Sequence, residues 1–580
     1  MFKHYNMNQV VLPLDIERKL QENDIAFAIH NLVESIPEEA FREFDQNTGR
    51  RAYHPRMMLK VILCGYTQSV FSGRKMEALL KDSVRMMWLS QGEEPSYRTI
   101  NLFRANPKVS GLIRQCFIQF RCQLVEGHHI KEEAIFIDGT KLEANANKFT
   151  FVWRKSVDRY RQSLMDKSAK MYEELLQDQV IPEIQRESED EFSTEELEVI
   201  LQHLEERVEA FDQQIEASEI VSERKALRSA RKGPKQSRKH FYDFVQRKRK
   251  YDQAQRLLGE RNSYSKTDVD ATFMRMKDDY MKNGQLKPGY NVQIATENQF
   301  TLAYDLFPNP TDTRTLIPFL ETIADRFFEL PEYIVADAGY GSEQNYNDII
   351  EQKQRTPLMT YGTYRKEKTK KHKKNPFHVD NWMYNQEKDA FTCPNDQLIP
   401  FQYESKRKDR TGFQRTFRVY ECEDCTGCPF RSSCTTAKEE NNRKVYRNKK
   451  WETQKTYINE LLSNEKTGAI YGKRKTDVEP VFGNLKADLR FTRFSVRGKA
   501  KVHNELGLAL MAVNLRKFTA LSTFPRDRQR KNHQKTSTMN QNRFTVLVFT
   551  FKISYVPASF LLKVALIIVR LPSFLLALHK

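Results

Sequence analysis

Cysteine is scarce in this sequence, with 8 residues among 580. Five of the eight fall between 393 and 434, a clustering that favours metal binding over disulfides in a chain with few cysteines. No arrangement of Ser or Cys typical of a nucleophilic enzyme is evident, and the N-terminus lacks a long apolar segment followed by a cleavage site. We therefore expect a cytoplasmic protein without a signal peptide.

Long uninterrupted apolar runs are also missing. The segment beyond Arg526 is first basic and then apolar, but charged residues and prolines such as Lys552, Pro557 and Arg570 interrupt it. A membrane-spanning helix needs ~20 predominantly apolar residues in sequence. We expect a poorly packed extension rather than a transmembrane helix, and no membrane partner.

Basic residues exceed acidic ones, 95 to 76, which gives a net charge of +19 and a pI near 9.3. Such an excess favours polyanionic partners, with nucleic acid first among them. The length is too great for one hydrophobic core, since domains commonly have about 150 residues. We expect three to four structural units.

The first part of the chain, about 15–130, has apolar residues at three- and four-residue steps and is predicted to be helical. Within it "SYRTINLFR" resembles the start of a DNA-contacting helix, although an ordinary helical bundle explains it equally well. A charged insertion at about 155–262 begins a helix with a capping box, Ser193 and Glu196. The acidic helix and the following basic one are expected to form an antiparallel hairpin; phosphate contact by the basic helix is the alternative.

From about residue 286 the pattern changes to strands alternating with helices. "GYNVQIAT" and "FTLAYDLFPN" are predicted to be adjacent strands, followed by a helix, the strand "EYIVADAGYGS", a helix and the strand "TPLMTYGTY". Two hairpin strands followed by a β-α-β unit predict a mixed α/β sheet covered by helices.

Two of the predicted apolar strands end in a carboxylate that is followed by a turn glycine: Asp138 in "AIFIDG" and Asp337 in "YIVADAG". A buried, unpaired carboxylate costs several kcal/mol, and two close together raise one another's pKa. Divalent cations with oxygen ligands, Mg²⁺ above all, resolve that conflict. The sequence therefore predicts that Asp138 and Asp337 meet at one edge of a sheet and bind metal.

A third carboxylate, Glu479, is expected from a helix beside the sheet. Either Thr476 or Asp477 is predicted to cap this helix, because Pro480 is acceptable only in a first turn. Lys486 shares the face of Glu479 and is placed to grip a DNA phosphate. Further residues predicted to hold the same backbone are Tyr471, Arg474 and Lys475.

The cysteines have the spacing of a zinc site, since Cys-x₂-Cys pairs suit tetrahedral Zn²⁺ at ~2.3 Å. We predict that a structural zinc is bound by Cys393, Cys425, Cys428 and Cys434, with Cys422 in reserve. A closed set of four thiolates leaves no position for catalytic water.

Taken together, the ordered motifs resemble bacterial insertion-sequence transposases of the DDE class, of the insertion-sequence eleven-eighty-two type, over about residues 5–520. The segments that carry the resemblance are "FIDGTKLEANAN", "SKTDVDATFM", "GYNVQIATENQF", "VADAGYGSEQNY" and "VEPVFGNLK". The resemblance implies a ribonuclease H-like α/β fold in which Asp138, Asp337 and Glu479 hold two Mg²⁺ ions, or Mn²⁺. Related groups carry a Tyr-Arg-Glu-Lys signature; here Tyr471 and Arg474 stand one residue further from the glutamate, and Lys475 keeps the expected spacing.

The implied function is a DNA transposase that binds terminal inverted repeats, cuts them and joins them to target DNA. A homodimer near the nucleoid is expected from the need to pair two DNA ends, and no small-molecule cofactor is expected. Trp153 is a candidate for stacking on an end base, with packing as the alternative. The competing interpretations are a metal-dependent nuclease that does not join and a zinc-containing DNA-binding regulator without catalysis.

This interpretation divides the chain into seven segments. The expected segments are a helical DNA-binding domain (1–130), the first part of the catalytic core (131–154), the helical insertion (155–262), the core continued (263–375), a zinc-ribbon-like insertion (376–446), the C-terminal core helices (447–525) and the tail (526–580).

Overall fold

The computed structural model describes residues 16–45, 52–188, 191–276, 284–409 and 412–522. The predicted tail, 526–580, lies outside these residues, and the described chain falls within one compact unit, Met1–Ser522. No helix in these ranges combines the length and apolar character required to cross a membrane.

The N-terminal part is helical, as its periodicity predicts. Its helices are α1 Ile25–Glu34, α2 Pro55–Thr67, α3 Gly73–Asp82, α4 Val84–Ser90, α5 Tyr97–Ala105 and α6 Val109–Glu126, with short 3₁₀ helices at Glu17–Lys19 and Glu38–Phe44. Helix α5 contains "YRTINLFR", and Ser96 caps it by accepting a hydrogen bond from Thr99 N. Arg104 on this helix is buried and donates to Phe71 O at 2.7 Å, so it stabilises the bundle rather than facing DNA.

The first strand of the main sheet is followed by the helical insertion. The elements are β1 Ala134–Glu143, β2 Phe151–Trp153, α7 Arg154–Gln177, α8 Thr194–Ala217, α9 Val221–Leu258 and β3 Ser263–Ser265. The predicted capping box is present, because Ser193 Oγ accepts from Glu196 N while the Glu196 carboxylate accepts from Ser193 N. Helices α7, α8 and α9 enclose a small core of their own, and β2 pairs with β3 at the base.

The main sheet is mixed. Its further elements are β4 Thr272–Arg275, β5 Leu286–Glu297, β6 Phe300–Phe307, α10 Leu316–Arg326, β7 Tyr333–Gly341, α11 Glu343–Asn347, a π-helix Asp348–Gln352 and β8 Thr356–Tyr361. Strand β1 pairs antiparallel with β5 and parallel with β7; β5 also pairs with β4 and β6, and β7 is parallel to β8. The predicted hairpin followed by a β-α-β unit is therefore confirmed.

The cysteine-containing segment folds separately from the main sheet. After α12 Tyr364–Glu367 and α13 Lys370–Lys373 come β9 Met383–Asn385, β10 Ala390–Thr392, β11 Leu398–Lys408, β12 Gln414–Glu421, α14 Arg431–Cys434 and β13 Lys444–Arg447. The five strands form an antiparallel sheet in the order β13-β12-β11-β10-β9, and a small apolar cluster that includes Trp382 and Tyr420 supports the cysteines.

The last helices return to the main sheet. They are α15 Lys449–Ser463, α16 Glu465–Gly472, α17 Arg474–Gly483, a π-helix Asn484–Asp488 and α18 Lys499–Ser522. Helix α18 packs against α2, α6 and β6, so one hydrophobic core joins the N-terminal helices to the sheet.

The close packing of α18 on the sheet yields a stability prediction. A Cβ at Gly507 would collide with Tyr304 Oη and lie 2.6 Å from Ile113 Cγ2. Gly507→Ala should therefore lower the thermal unfolding midpoint, because overpacking costs about 1–3 kcal/mol and outweighs the roughly 1 kcal/mol gained in helix propensity. The control is Gly111→Ala in α6, where a Cβ meets nothing within 4 Å and the midpoint should stay or rise. Equal midpoints for the two variants would contradict this packing.

Candidate active site

Asp138 and Asp337 occupy equivalent positions on two neighbouring parallel strands. The ladder between β1 and β7 ends with Phe136 opposite Val335, and each aspartate lies two residues further along its strand. Because residues two apart share a face of a strand, the two side chains leave the sheet on the same side. The irregular pairing of β7 with β8 begins after Ala336, so the strands separate where the carboxylates lie.

The predicted ends of the two strands are wrong. Strand β1 continues beyond Asp138 to Glu143, since its ladder with β5 is unbroken and places Asp138 opposite Ile294. Strand β7 likewise continues to Gly341. Asp138 is thus held inside a strand with only 9% of its surface exposed, and its Oδ1 accepts from Gly139 N at 2.7 Å.

Tyr340 is a buried phenol that three aspartates influence. Its side chain is fully buried and donates to Gln293 Oε1. Burial is the main cause that raises the pKa of this phenol well above its usual value, and the negative charges of Asp312, Asp138 and Asp337 raise it further. The three carboxylates therefore lie near enough to Tyr340 for their charges to affect its pKa.

Asp312 is the acidic residue that sequence reasoning missed. It begins a 3₁₀ turn after β6, and its Oδ1 accepts from Asn291 Nδ2 at 2.8 Å and from Gln293 Nε2 at 3.1 Å. A Cβ on Gly139 would collide with Gln293 Nε2 and lie 2.9 Å from the same Asp312 oxygen, so glycine fits the close approach of both side chains. The segment "NPTDTRT" has the composition of an ordinary turn and gives no sign of a functional aspartate. The one signal in the sequence is the polar pair Asn291 and Gln293 within an otherwise apolar strand, because two buried amides need a hydrogen-bond acceptor such as Asp312.

Glu479 lies on α17, which packs against β1, β5 and β7. Val478 and Val481 face the core, whereas Glu479 is exposed. The helix therefore carries the third carboxylate along the side of the strands that hold Asp138 and Asp337.

The predicted start of this helix is wrong. Neither Thr476 nor Asp477 caps it, because α17 begins earlier, and Pro480 lies in its interior rather than its first turn. Pro480 has no N–H and so cannot donate the helical hydrogen bond to the Thr476 carbonyl. That carbonyl accepts a hydrogen bond from Gln299 Nε2 at 3.0 Å instead. The buried Asp477 accepts from Thr296 Oγ1 at 2.6 Å, and burial raises its pKa. Asp477 thus fastens the helix to the β5–β6 hairpin.

The residues predicted to contact DNA lie on several elements. Tyr471 Oη on α16 is 3.3 Å from Thr360 Oγ1 of β8. Arg474 is half-buried at the start of α17, Lys475 is exposed beside it, and Lys486 lies in the π-helix that follows. Trp153 packs in an aromatic group, 5.9 Å from Phe273 between ring centroids.

The closely spaced set of potential metal ligands in the described residues is not the predicted acidic triad. Across the described ranges, one set of three potential ligands has its ligand atoms within 4.8 Å of one another: His372, His378 and Asp380. Protein contacts account for this set, since Asp380 N donates to His378 Nδ1 at 3.4 Å and Arg447 pairs with Asp380 at 2.5 Å. Asp138, Asp337 and Glu479 are spaced more widely than one ion requires. Two Mg²⁺ ions ~3.5–4 Å apart, each ~2.1 Å from its ligands, accommodate carboxylates up to about 8 Å apart.

The cysteines converge at one end of the five-stranded sheet. Cys393, Cys422, Cys425, Cys428 and Cys434 line one small cavity. Burial, followed by the neighbouring thiol of Cys425, raises the pKa of Cys422 to about 12. No three of these sulfurs lie within 4.8 Å of one another, so a shared ion would require them to draw closer. The choice of four ligands stays a prediction.

Arg443 also lies beside the clustered cysteines and lines the same cavity. Arg443 Nη1 donates to Cys434 Sγ at 2.9 Å, and its guanidinium lies over the ring of Trp382 at 4.6 Å. Burial raises the pKa of Cys434, whereas the positive charge of Arg443 opposes that effect. Arg443 therefore offsets part of the effect of burial on the Cys434 thiol.

Comparisons with known families agree with the motifs. Residues 392–519 match the model of a transposase DDE domain, and residues 14–106 match the model of a transposase domain, DUF772. No curated protein and no solved structure matches the chain significantly. The two matches confirm the resemblance to DDE-class transposases, which are enzymes of the polynucleotidyl transferase type and act on DNA. Glu479 and the five clustered cysteines lie inside the matched DDE segment, whereas Asp138 and Asp337 precede it.

Proposed function

We propose that this protein is a DNA transposase that cuts the terminal inverted repeats of an insertion sequence and joins them to target DNA through Asp138, Asp337 and Glu479. The observation that carries the proposal is the equivalent placement of Asp138 and Asp337 on adjacent parallel strands, beside the helix that bears Glu479. This arrangement supports the proposal because neither residue type nor burial alone distinguishes catalytic carboxylates from structural ones.

The sheet supports a ribonuclease H-like core. A three-stranded antiparallel part, β6-β5-β1, continues into a parallel part, β7-β8, with β1 at the centre. The charged helical insertion follows β1 and the cysteine sheet follows β8. Both additions therefore enter at strand connections and leave the central sheet intact.

The acidic residues fit a pair of Mg²⁺ or Mn²⁺ ions. Their donors are hard carboxylate oxygens, which Mg²⁺ and Mn²⁺ prefer, and Asp138 is a buried member of the set. In two-metal enzymes the ions activate a hydroxyl nucleophile and stabilise the leaving oxygen of the phosphodiester. Asp138, Asp337 and Glu479 would hold the ions, and Asp312 lies beside Gly139, the residue that follows Asp138.

Basic and aromatic residues around Glu479 would bind the DNA backbone. Arg474, Lys475 and Lys486 supply the cations, and Tyr471 supplies a hydroxyl. Such contacts position the scissile phosphate without reading sequence. Trp153 is assigned to packing with Phe273 on the evidence of its ring contacts, with base stacking at a DNA end as the alternative role.

The thiol cluster would hold one structural Zn²⁺ through Cys393, Cys425, Cys428 and Cys434. The donor set is all sulfur, and the cavity is lined by the five cysteines together with Arg443 and other residues of the same small sheet.

The partners are duplex DNA at the element ends and at the target, and a second copy of the chain pairs the two ends. This assignment places the working protein in the cytoplasm at the nucleoid.

Two DNA substrates test the proposal. The first is an intact duplex carrying the inverted repeats that flank the gene, and the second carries a pre-cut end with a free 3′-hydroxyl. A transposase should cut the first with Mg²⁺ and join the second to a target plasmid. Cleavage without joining would identify a nuclease, and binding without either reaction would identify a regulator; both outcomes would contradict the proposal.

A further inference from the structure

Helix α9 has two unlike halves. Its C-terminal half is anchored by Phe241, Phe244 and Val245, which are buried against α7 and α8. The N-terminal half runs antiparallel to α8, with Arg231 paired to Asp212. In that half every residue before Phe241 is exposed or half-buried. The distal part of the hairpin therefore stands in solvent on both helices.

One face of this distal half is a line of cations. Successive members are three or four residues apart, so they lie on one side of the helix, and each is exposed. We call them the basic stripe: Lys225, Arg228, Lys232, Lys235 and Lys239, with the exposed Tyr242 at the end. At ~1.5 Å per residue the cations from Lys225 to Lys239 extend over about 21 Å.

The cations of the basic stripe differ from other cations of α9 in that they form no ion pairs with described carboxylates. Arg231, Lys248 and Arg249 each pair with a carboxylate of the helical insertion. The stripe cations make no ion pair with any described residue. Lys232, Lys235 and Lys239 line a shallow groove with Tyr242 and with a single acidic side chain, Glu205.

Retaining this line has an energetic cost. Like charges three or four residues apart destabilise a helix by about 0.2–0.5 kcal/mol per pair. Gly233 and Pro234 lie in the middle of the same helix and weaken it further. An anionic ligand with regularly spaced charges would relieve the repulsion along the whole stripe.

We infer that the basic stripe is a second DNA-binding surface, separate from the acidic site, that follows the phosphates of a duplex flank. The inference rests on the proposed function. Phosphates recur about every 3.4 Å along each strand, so a line of cations about 21 Å long faces roughly six base pairs. The contacts are to backbone charge, and they therefore add affinity without sequence preference.

The test is the salt dependence of duplex binding by the full chain. The variant Lys232→Gln, Lys235→Gln and Lys239→Gln removes three stripe charges and keeps good helix formers. The binding constant K falls as salt is added, and each lost phosphate contact should make the plot of log K against log salt shallower by ~0.9. The magnitude of the slope should therefore decrease by about 2.7. The matched control, Lys155→Gln, Lys167→Gln and Lys170→Gln, removes three exposed charges from α7 of the same insertion and should leave the slope within about 0.5 of the wild type.

The outcomes separate this inference from the proposed function. Equal slopes for the stripe variant, the control and the wild type would overturn the inference, even if metal-dependent cleavage is observed. A selective loss of slope would support the stripe even if the wild type cuts nothing. Circular dichroism of both variants shows whether α9 remains helical, and stronger binding of duplex RNA than of DNA would also overturn the assignment.

Discussion

Asp138→Asn should reduce Mg²⁺-dependent cleavage of the element ends by at least about 10³-fold while duplex binding is retained. The substitution keeps the size of the side chain and the acceptor for Gly139 N, but it removes the charge that holds a divalent ion. Single-turnover cleavage and fluorescence anisotropy measure the two effects.

Asp325→Asn is the matched control, because Asp325 is an exposed aspartate on α10. Its cleavage rate should equal that of the wild type. If Asp138→Asn cuts as fast as Asp325→Asn, the acidic site proposed here is not the catalytic site. If Asp138→Asn fails to bind DNA at all, the loss of cleavage would say nothing about metal, so the binding measurement is part of the test.

Cys425→Ser combined with Cys428→Ser should remove the bound zinc and unfold the five-stranded cysteine sheet. Structural zinc contributes about 10–16 kcal/mol to the folding of zinc-finger peptides, and this sheet has only a small apolar cluster of its own. Zinc content of the purified protein should fall from about one ion per chain to none. Limited proteolysis should then cut within 376–446.

The remaining cysteines sharpen that prediction. Cys393→Ser and Cys434→Ser should each lose zinc, whereas Cys422→Ser should retain it. The control is Cys122→Ser, since Cys122 is an exposed cysteine on α6. Wild-type protein that contains no zinc and resists proteolysis in this segment would show that the thiols are not a zinc site.

The sequence predicts the order of elements well because hydrophobic periodicity is a local property. The β5–β6 hairpin, the strand that carries Asp337 and the capping box at Ser193 were all visible in it. Strand ends were not, because they depend on a partner: β1 continues through Asp138 only because β5 lies alongside it. Sequence patterns report on the chain's own periodicity, not on its neighbours.

The candidate site shows the same difference between local patterns, which the sequence reveals, and contacts with distant segments, which it does not. Asp138 and Asp337 attract attention because each follows an apolar run, and each lies two residues beyond the last pair of the β1–β7 ladder. Asp312 escaped notice because its partners, Asn291 and Gln293, come from a different strand. The start of α17 was misjudged because Gln299 satisfies a carbonyl that Pro480 leaves without a donor. Contacts of this kind become visible only when distant segments are brought together.

A crystal structure of the full chain with Mn²⁺ and a cut DNA end tests the central claim most directly. Anomalous scattering locates Mn²⁺ without reference to the protein model. The account predicts two peaks ~3.5–4 Å apart, coordinated by Asp138, Asp337 and Glu479 and adjacent to the 3′-hydroxyl. Peaks confined to other residues, with these three carboxylates free of metal, would contradict it.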